Sequence, residues 1–287
     1  MTTDAFTAPA PPPAAPSGSP AGPVSSEPEQ RGASGVHQLL VLTERQIRSM
    51  YGDRRLALFS LLQPLVMLLL LNEVFGSLAD PAEFPHGTRY IDYLMPAILV
   101  TTGISSAQGA GVGLIRDLQS GIMARFRVLP TRLGLVLVAR SVADLLRISS
   151  ELLVLLSAGW LFFGFRPGGG VLGALAALAL TLFVVWSLIW GFIALAAWLR
   201  NVEVMSGIVV FLVFPLTFAS NAFVPISVLP QWLQVVARGN PISYAVDGAR
   251  RLALGWPVGW SVPGAVLTGT VLGTACMVWA FRSFRRP

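Results

Sequence analysis

Asp144, Arg147 and Glu151 follow one another at spacings of three and four residues inside the apolar run Leu133 to Phe165, so on a helix they share one face. Two carboxylates and a guanidinium on one face can pair with each other, carry a proton or ion, or line a polar path. At membrane depth such groups are costly and turn toward a cavity or toward one another. The run from Leu133 is longer than a bilayer is thick. The expectation is therefore a salt-bridged extension protruding into the cytoplasm, with a path-lining face as the alternative.

Little else in the chain could react. His37 and His86 lie far apart, and the lone Cys276 excludes an intrachain disulfide and argues against a thiolate metal site. No clustered His or carboxylate constellation suggests an enzyme acting on lipid. All 20 basic residues are Arg. A Walker A loop needs a lysine to reach the β- and γ-phosphates, so hydrolysis of ATP by that route is excluded and no cofactor is expected on this chain.

The elements that must position these groups read as membrane helices. Of 287 residues, 54% are hydrophobic and 12% charged, about half the charged share of an average soluble domain. Apolar stretches of about 20 residues predict about six spans, near 56–75, 91–115, 140–165, 171–199, 204–223 and 260–281. Residues 1–35 are rich in Ala, Pro, Ser and Gly and lack the basic and apolar regions of a secretory signal; a disordered, uncleaved tail is expected. Leu40, Thr43, Ile47 and Met50 then follow helical spacing within 36–54, which suits an interfacial amphipathic helix or an ordinary juxtamembrane one. Arginines cluster before the first span, between the second and third, and at the end, which places both termini in the cytoplasm. Arg250 and Arg251 are assigned to an outer loop by this scheme. The net charge of +6 is read as an orientation signal, with nucleic-acid binding not expected.

Stretch 224–258 is too long for a turn and too broken for a span. Pro230, Gly239, Asn240, Pro241 and Gly255 predict two short helices with a cap at Asn240 and a stop at Gly255, dipping back into the membrane as a re-entrant pair. Gly103, Ala107 and Gly111, like Ala265, Gly269 and Gly273, recur every fourth residue and allow close helix approach within the bundle or across a dimer. Aromatics such as Trp186, Phe214 and Phe218 supply a wall for an amphiphile, or face lipid.

Between the second and third spans, segment 116–132 places Leu118, Ile122, Phe126 and Leu129 on one helical face, with Asp117, Ser120 and Arg127 turned away, and ends near Pro130. It is either a basic inner loop or a short amphipathic helix able to rest in a groove on a soluble partner.

Gly113 to Asp117 with Arg125 to Pro130, Ser220 to Pro225, and Leu229 to Leu233 followed by Asn240 to Tyr244 together resemble the permease subunits of type-2 ABC exporters, in particular the daunorubicin-resistance-like branch. The resemblance spans the chain from about Val36 onward. It implies an all-α integral membrane protein with an N-terminal interfacial helix, a cytoplasmic coupling helix and a re-entrant helical pair before the last span, residing in a bacterial plasma membrane. Further implications are a homodimer, or a pair with a sister permease, and two copies of a separate ATP-binding subunit that holds the ATP and Mg. Arg116, Asp117, Leu118, Ile122, Arg125, Phe126, Arg127 and Pro130 would dock that subunit. Asp144, Arg147, Glu151, Trp186, Phe214 and Phe218 would line the path of a small amphiphilic substrate, and Phe223, Pro225, Trp232, Asn240, Pro241 and Tyr244 would form its gate. The competing expectations are an ion-coupled secondary transporter working through Asp144, Arg147 and Glu151, and export of a polysaccharide or glycolipid.

Overall fold

The computed structural model describes residues 54–76, 84, 88–120 and 133–285, with side chains over 61–76, 84, 88–120 and 134–283. The tail at 1–35, the amphipathic stretch 36–53 and docking residues Ile122, Arg125, Phe126, Arg127 and Pro130 lie outside the described residues. Within them every regular element is a helix. In chain order these are α1 (Arg54–Gly76), α2 (Tyr90–Gln119), α3 (Leu133–Phe162), α4 (Gly170–Leu199), α5 (Val202–Phe218), a 3-10 turn (Ile226–Val228), α6 (Gln231–Gly239), α7 (Pro241–Leu254) and α8 (Ser261–Arg285).

Four of these, α2, α3, α4 and α8, are long and apolar enough to cross a membrane, whereas α1 and α5 contribute shorter apolar segments, Leu61–Gly76 and Val202–Phe218. Helical structure suits such sequences because a backbone surrounded by hydrocarbon must bond to itself. The chain is thus a multi-pass helical membrane protein.

The least polar helix, α4, stands at the centre and packs against α2, α3, α7 and α8. Small residues let it be approached so closely. A Cβ on Gly111 of α2 would come within 2.8 Å of the Phe192 carbonyl oxygen, and one on Gly103 within 2.6 Å of Val185. On α8, a Cβ on Gly269 would meet Phe183 at 2.9 Å and one on Gly273 would meet Ser187 at 3.1 Å. Both small-residue stripes therefore face α4 inside one chain, which decides the question the spacing left open.

Local chemistry sets the helix ends. After α4, Arg200 adopts a left-handed φ of 51° and its N–H bonds the Ala196 carbonyl, turning the chain sharply. Asn201 then caps α5, its Oδ1 accepting from the N–H groups of Glu203 (2.9 Å) and Val204 (3.1 Å). The expected cap at Asn240 accepts from Ile242 N–H at 2.9 Å, Pro241 opens α7, and Gly255 closes it at a φ of 70°. One boundary departs from expectation: the apolar run 204–223 predicts a longer helix, yet α5 stops at Phe218. Pro215 has no N–H to give the preceding turn, and the carbonyls that follow bond to side chains from other helices instead.

Candidate functional site

Charged residues on α3 form a ladder. Arg140 donates to the carboxylate of Asp117 near the end of α2, joining the two helices. Arg140 Nε lies 3.8 Å from Asp144 Oδ2, Arg147 Nε is 4.0 Å from Asp144 Oδ1, and Arg147 Nη1 is 3.6 Å from Glu151 Oε2. From α2, Ser106 Oγ donates to Glu151 at 2.9 Å, and the Ser106 carbonyl accepts from Arg147 Nη2 at 3.1 Å. Asp144 is only 3% exposed and Glu151 7%. Both are therefore packed inside the bundle, where the ion pairs and Ser106 hold them.

Their positions along the bundle follow from helix geometry. At a rise of about 1.5 Å per residue, Glu151 lies about 16 Å from the Phe162 end of α3 and Asp144 about 27 Å from it. Glu151 therefore lies on the Phe162 side of the middle of α3 and Asp144 on the Leu133 side. Spreading opposite charges along one face, each within reach of the next, lowers the cost of holding any of them there.

This ladder forms part of the wall of a cavity of about 1430 Å³. A second wall is the polar stripe of α2, where Thr102, Ser106, Gly109 and Gly113 recur at helical spacing and Thr101, Ser105 and Gln108 run beside them. Opposite lie Leu62, Val66 and Leu70 of α1 and Val213, Phe214 and Phe218 of α5. Phe214 and Phe218 have ring centroids 4.6 Å apart, and Phe218 and Phe223 5.3 Å, so three rings extend the wall toward the Phe162 end of the bundle. The cavity is therefore graded, ionic toward the Gln119 end of α2 and aromatic toward the other.

Five of the expected path residues, Asp144, Arg147, Glu151, Phe214 and Phe218, line this one cavity. Trp186 is not among its lining residues and projects from the exposed side of α4, 37% exposed. Of the expected docking residues, Arg116 and Asp117 border the cavity's ionic end, and Leu118 packs against the core. Of the expected gate residues, Phe223 enters the cavity wall and Trp232 is largely exposed. Pro225 is buried, Pro241 exposed, and Tyr244 lies against the Gly264 position of α8.

Arg250, assigned from sequence to an outer loop, is a correction. It is 1% exposed, its guanidinium 3.5 Å from the centre of the Tyr93 ring, and it bonds the carbonyls of Tyr93 (3.0 Å), Asn221 (3.1 Å) and Ala222 (3.3 Å). Tyr90 Oη bonds the Phe223 carbonyl and Tyr93 Oη the Asn221 carbonyl, both at 3.3 Å. Asn240 Nδ2 reaches the carbonyls of Leu216 (2.6 Å) and Ala219 (3.2 Å). The α2 stripe was equally missed, although its spacing is readable: a run of Thr, Ser and Gly on one face of an apolar helix is the signal.

Such an arrangement can accommodate a molecule with apolar and polar parts, since its two ends differ in character and its charges lie within reach of one another along one face. The comparisons with known proteins agree. Residues 37–254 match the family model of the ABC-2 type transporter. The chain is 32% identical over 207 residues (72% of this chain, 71% of the other) to the daunorubicin resistance ABC transporter permease protein DrrB1 of Streptomyces coeruleorubidus. It is 25% identical over 251 residues (88% and 89%) to a probable doxorubicin resistance ABC transporter permease protein DrrC of Mycobacterium tuberculosis. Likeness to a putative transport permease, ycf38, of Pyropia yezoensis reaches 25% over 217 residues (76% and 74%). With three-quarters of its length on the family pattern and a graded cavity between its helices, the chain belongs to the ABC-2 type transporter family, as a transmembrane permease whose work is done with an ATP-binding subunit.

Proposed function

We propose that the chain exports an amphiphilic small molecule, drug-like or lipid-like, through the cavity bounded by α1, α2, α3 and α5, using ATP hydrolysed by its separate partner. The observation that carries this reading is the graded cavity itself, with Glu151 on the α3 ladder and the rings of Phe214, Phe218 and Phe223 beyond it. An amphiphile is matched by a wall ionic at one end and aromatic at the other. The named resistances of the relatives, to daunorubicin and doxorubicin, point the same way.

In this reading α1 and α5 join the four long helices as six membrane-embedded segments, α6 and α7 dip back as a re-entrant pair, and both termini face the cytoplasm of a bacterium. The stretch 36–54 lies in the inner interface and braces the segment 116–132, which docks two ATP-binding subunits across a dimer. A second copy is favoured by the cavity's open side. Leu62 and Phe214 are exposed there beside Ser105 and Arg116, a mixed apolar and polar edge that a second copy of the chain would cover.

The test is uptake of a fluorescent amphiphilic drug into inside-out vesicles holding the chain and its ATP-binding subunit. Uptake should require ATP and both proteins and survive an uncoupler. Uptake that persists without ATP and collapses with the uncoupler would establish the ion-coupled alternative.

A further inference from the structure

Beyond the end of α5 the backbone runs irregularly from Ala219 to Phe223 before it reaches Pro225, inside the bundle. Five carbonyls around that break, those of Leu216, Ala219, Asn221, Ala222 and Phe223, each receive a side-chain donor from another helix. The donors are Tyr90 and Tyr93 from the first turn of α2, Asn240 from the cap of α7 and Arg250 from its body. Irregular backbone at membrane depth persists only where protein groups satisfy it. Here one residue joins all three parts, because Arg250 grips α2 through the Tyr93 ring and carbonyl and grips the break through Asn221 and Ala222.

Arg250 also has no carboxylate partner among the described residues. Asp247, one turn earlier, is taken by Arg251 at 2.8 Å and by the Ser261 hydroxyl. A buried cation without a counter-charge is costly, and here it is offset only while the carbonyl bonds and the π contact are made together. A small displacement of the break from α2 would forfeit several of them at once. Phe84 reinforces the grip by packing edge-on against Tyr90 (5.6 Å) and Tyr93 (5.1 Å).

We propose that Arg250 is the positioning residue of the gate: by clamping the broken segment after α5 to α2, it holds the Phe223 ring in the cavity wall and keeps that end of the cavity shut. This rests on the proposed function only in taking the Phe162 end of the bundle as the outer one. The clamp acts as a unit, because its carbonyl bonds and π contact share one guanidinium, so opening of that end requires α2, the break and α7 to part at the Arg250 contacts.

The experiment uses the full chain with its ATP-binding subunit, with Cys276 replaced by alanine and a single cysteine introduced in turn at Phe223, Trp232 or Ala107. A membrane-impermeant maleimide is then applied to intact cells. With Arg250 present, Phe223→Cys should label at least about tenfold more slowly than Trp232→Cys. Arg250→Gln should raise the Phe223→Cys rate by about fivefold or more, and Tyr93→Phe, which removes one hydroxyl and keeps the ring, by about twofold. Ala107→Cys, packed between α2 and α4, should stay unlabelled throughout. A Phe223→Cys rate already equal to that of Trp232→Cys, or unmoved by Arg250→Gln, overturns the proposal. So does labelling of Ala107→Cys in step with Phe223→Cys, which would mean general loosening. Should Arg250→Gln fail to accumulate, Tyr93→Phe decides, an unmoved rate counting against the clamp. If Trp232→Cys labels only from the inner face, the orientation is wrong, and the same comparison made from that face still judges the clamp.

Discussion

Ser106 of α2 donates a hydrogen bond to Glu151 of α3 at 2.9 Å, while the Ser106 carbonyl receives Arg147 at 3.1 Å, so one serine holds both members of an ion pair near the middle of the bundle. The carboxylate's second partner, Arg147 Nη1, stands 3.6 Å away and is loosely held. A ligand group entering the cavity therefore meets a charge that is anchored on one side and free to re-pair on the other.

Glu151→Gln keeps the shape and an acceptor for Ser106 but leaves Arg147 less opposed. The apparent affinity for a charged amphiphile should shift by about tenfold, the scale of one differential charge contact, with membrane insertion unchanged. Leu153→Gln, on the exposed side of α3, should leave it alone. Concentration dependence of ATP-driven uptake checks both, and normal kinetics for Glu151→Gln would reduce the residue to a structural role.

Asp117 and Arg140 are the rung that ties α2 to α3 beside segment 121–132. Asp117 is one-third exposed and Arg140 one-tenth, so removing either should cost about 1–2 kcal/mol, less than a fully buried pair. Thermal unfolding in detergent of Asp117→Asn, Arg140→Gln and the double variant should show a coupling energy of about 1 kcal/mol. Strict additivity would show that the contact contributes nothing.

Glycines separate close approach from tolerance. Gly111→Ala sets a methyl 2.8 Å from a backbone oxygen of α4 and should destabilise by about 1–3 kcal/mol. Gly207→Ala meets nothing within 4 Å and should be neutral or stabilise α5 by up to about 1 kcal/mol. The same detergent melts compare them; equal melting points would contradict the packing of α2 on α4.

Asn240 does two jobs with one side chain, its Oδ1 capping α7 and its Nδ2 binding the Leu216 and Ala219 carbonyls. Asn240→Asp keeps the cap but sets a buried carboxylate oxygen against the Leu216 and Ala219 carbonyls, so it should melt well below the wild type despite that cap, and Asn240→Ala, which loses cap and donors, should be destabilised by about 2 kcal/mol. If Asn240→Asp restored wild-type stability, the bonds to the end of α5 would be without energetic weight.

Local chemistry was legible wherever it stayed local. Asn240, Pro241 and Gly255 set helix ends by interactions within a few residues, and their spacing alone predicts those ends. The stop at Phe218 was not, because 204–223 is mostly apolar and the donors that satisfy its freed carbonyls come from Tyr90, Tyr93, Asn240 and Arg250, on other helices. Arg250 misled for the same reason: a charge count cannot distinguish a solvated loop cation from one folded onto a tyrosine face. The ladder of α3 was visible as a face, but its burial depends on Ser106 and Asp117 of α2, which only packing brings near. Trp186 was grouped with Phe214 and Phe218 by residue type, whereas helix rotation turns it away from the cavity.

Phe126→Asp tests most directly the proposal that work enters through the segment following α2, in vesicles holding the chain and its ATP-binding subunit. A carboxylate at that position should leave the chain inserted and full-length but reduce ATP-dependent drug uptake by about a hundredfold or more, with Ile122→Asp doing the same, the scale expected if these apolar side chains anchor the partner. Uptake at the wild-type rate in either variant, with ATP-binding subunit still driving it, would contradict the claim.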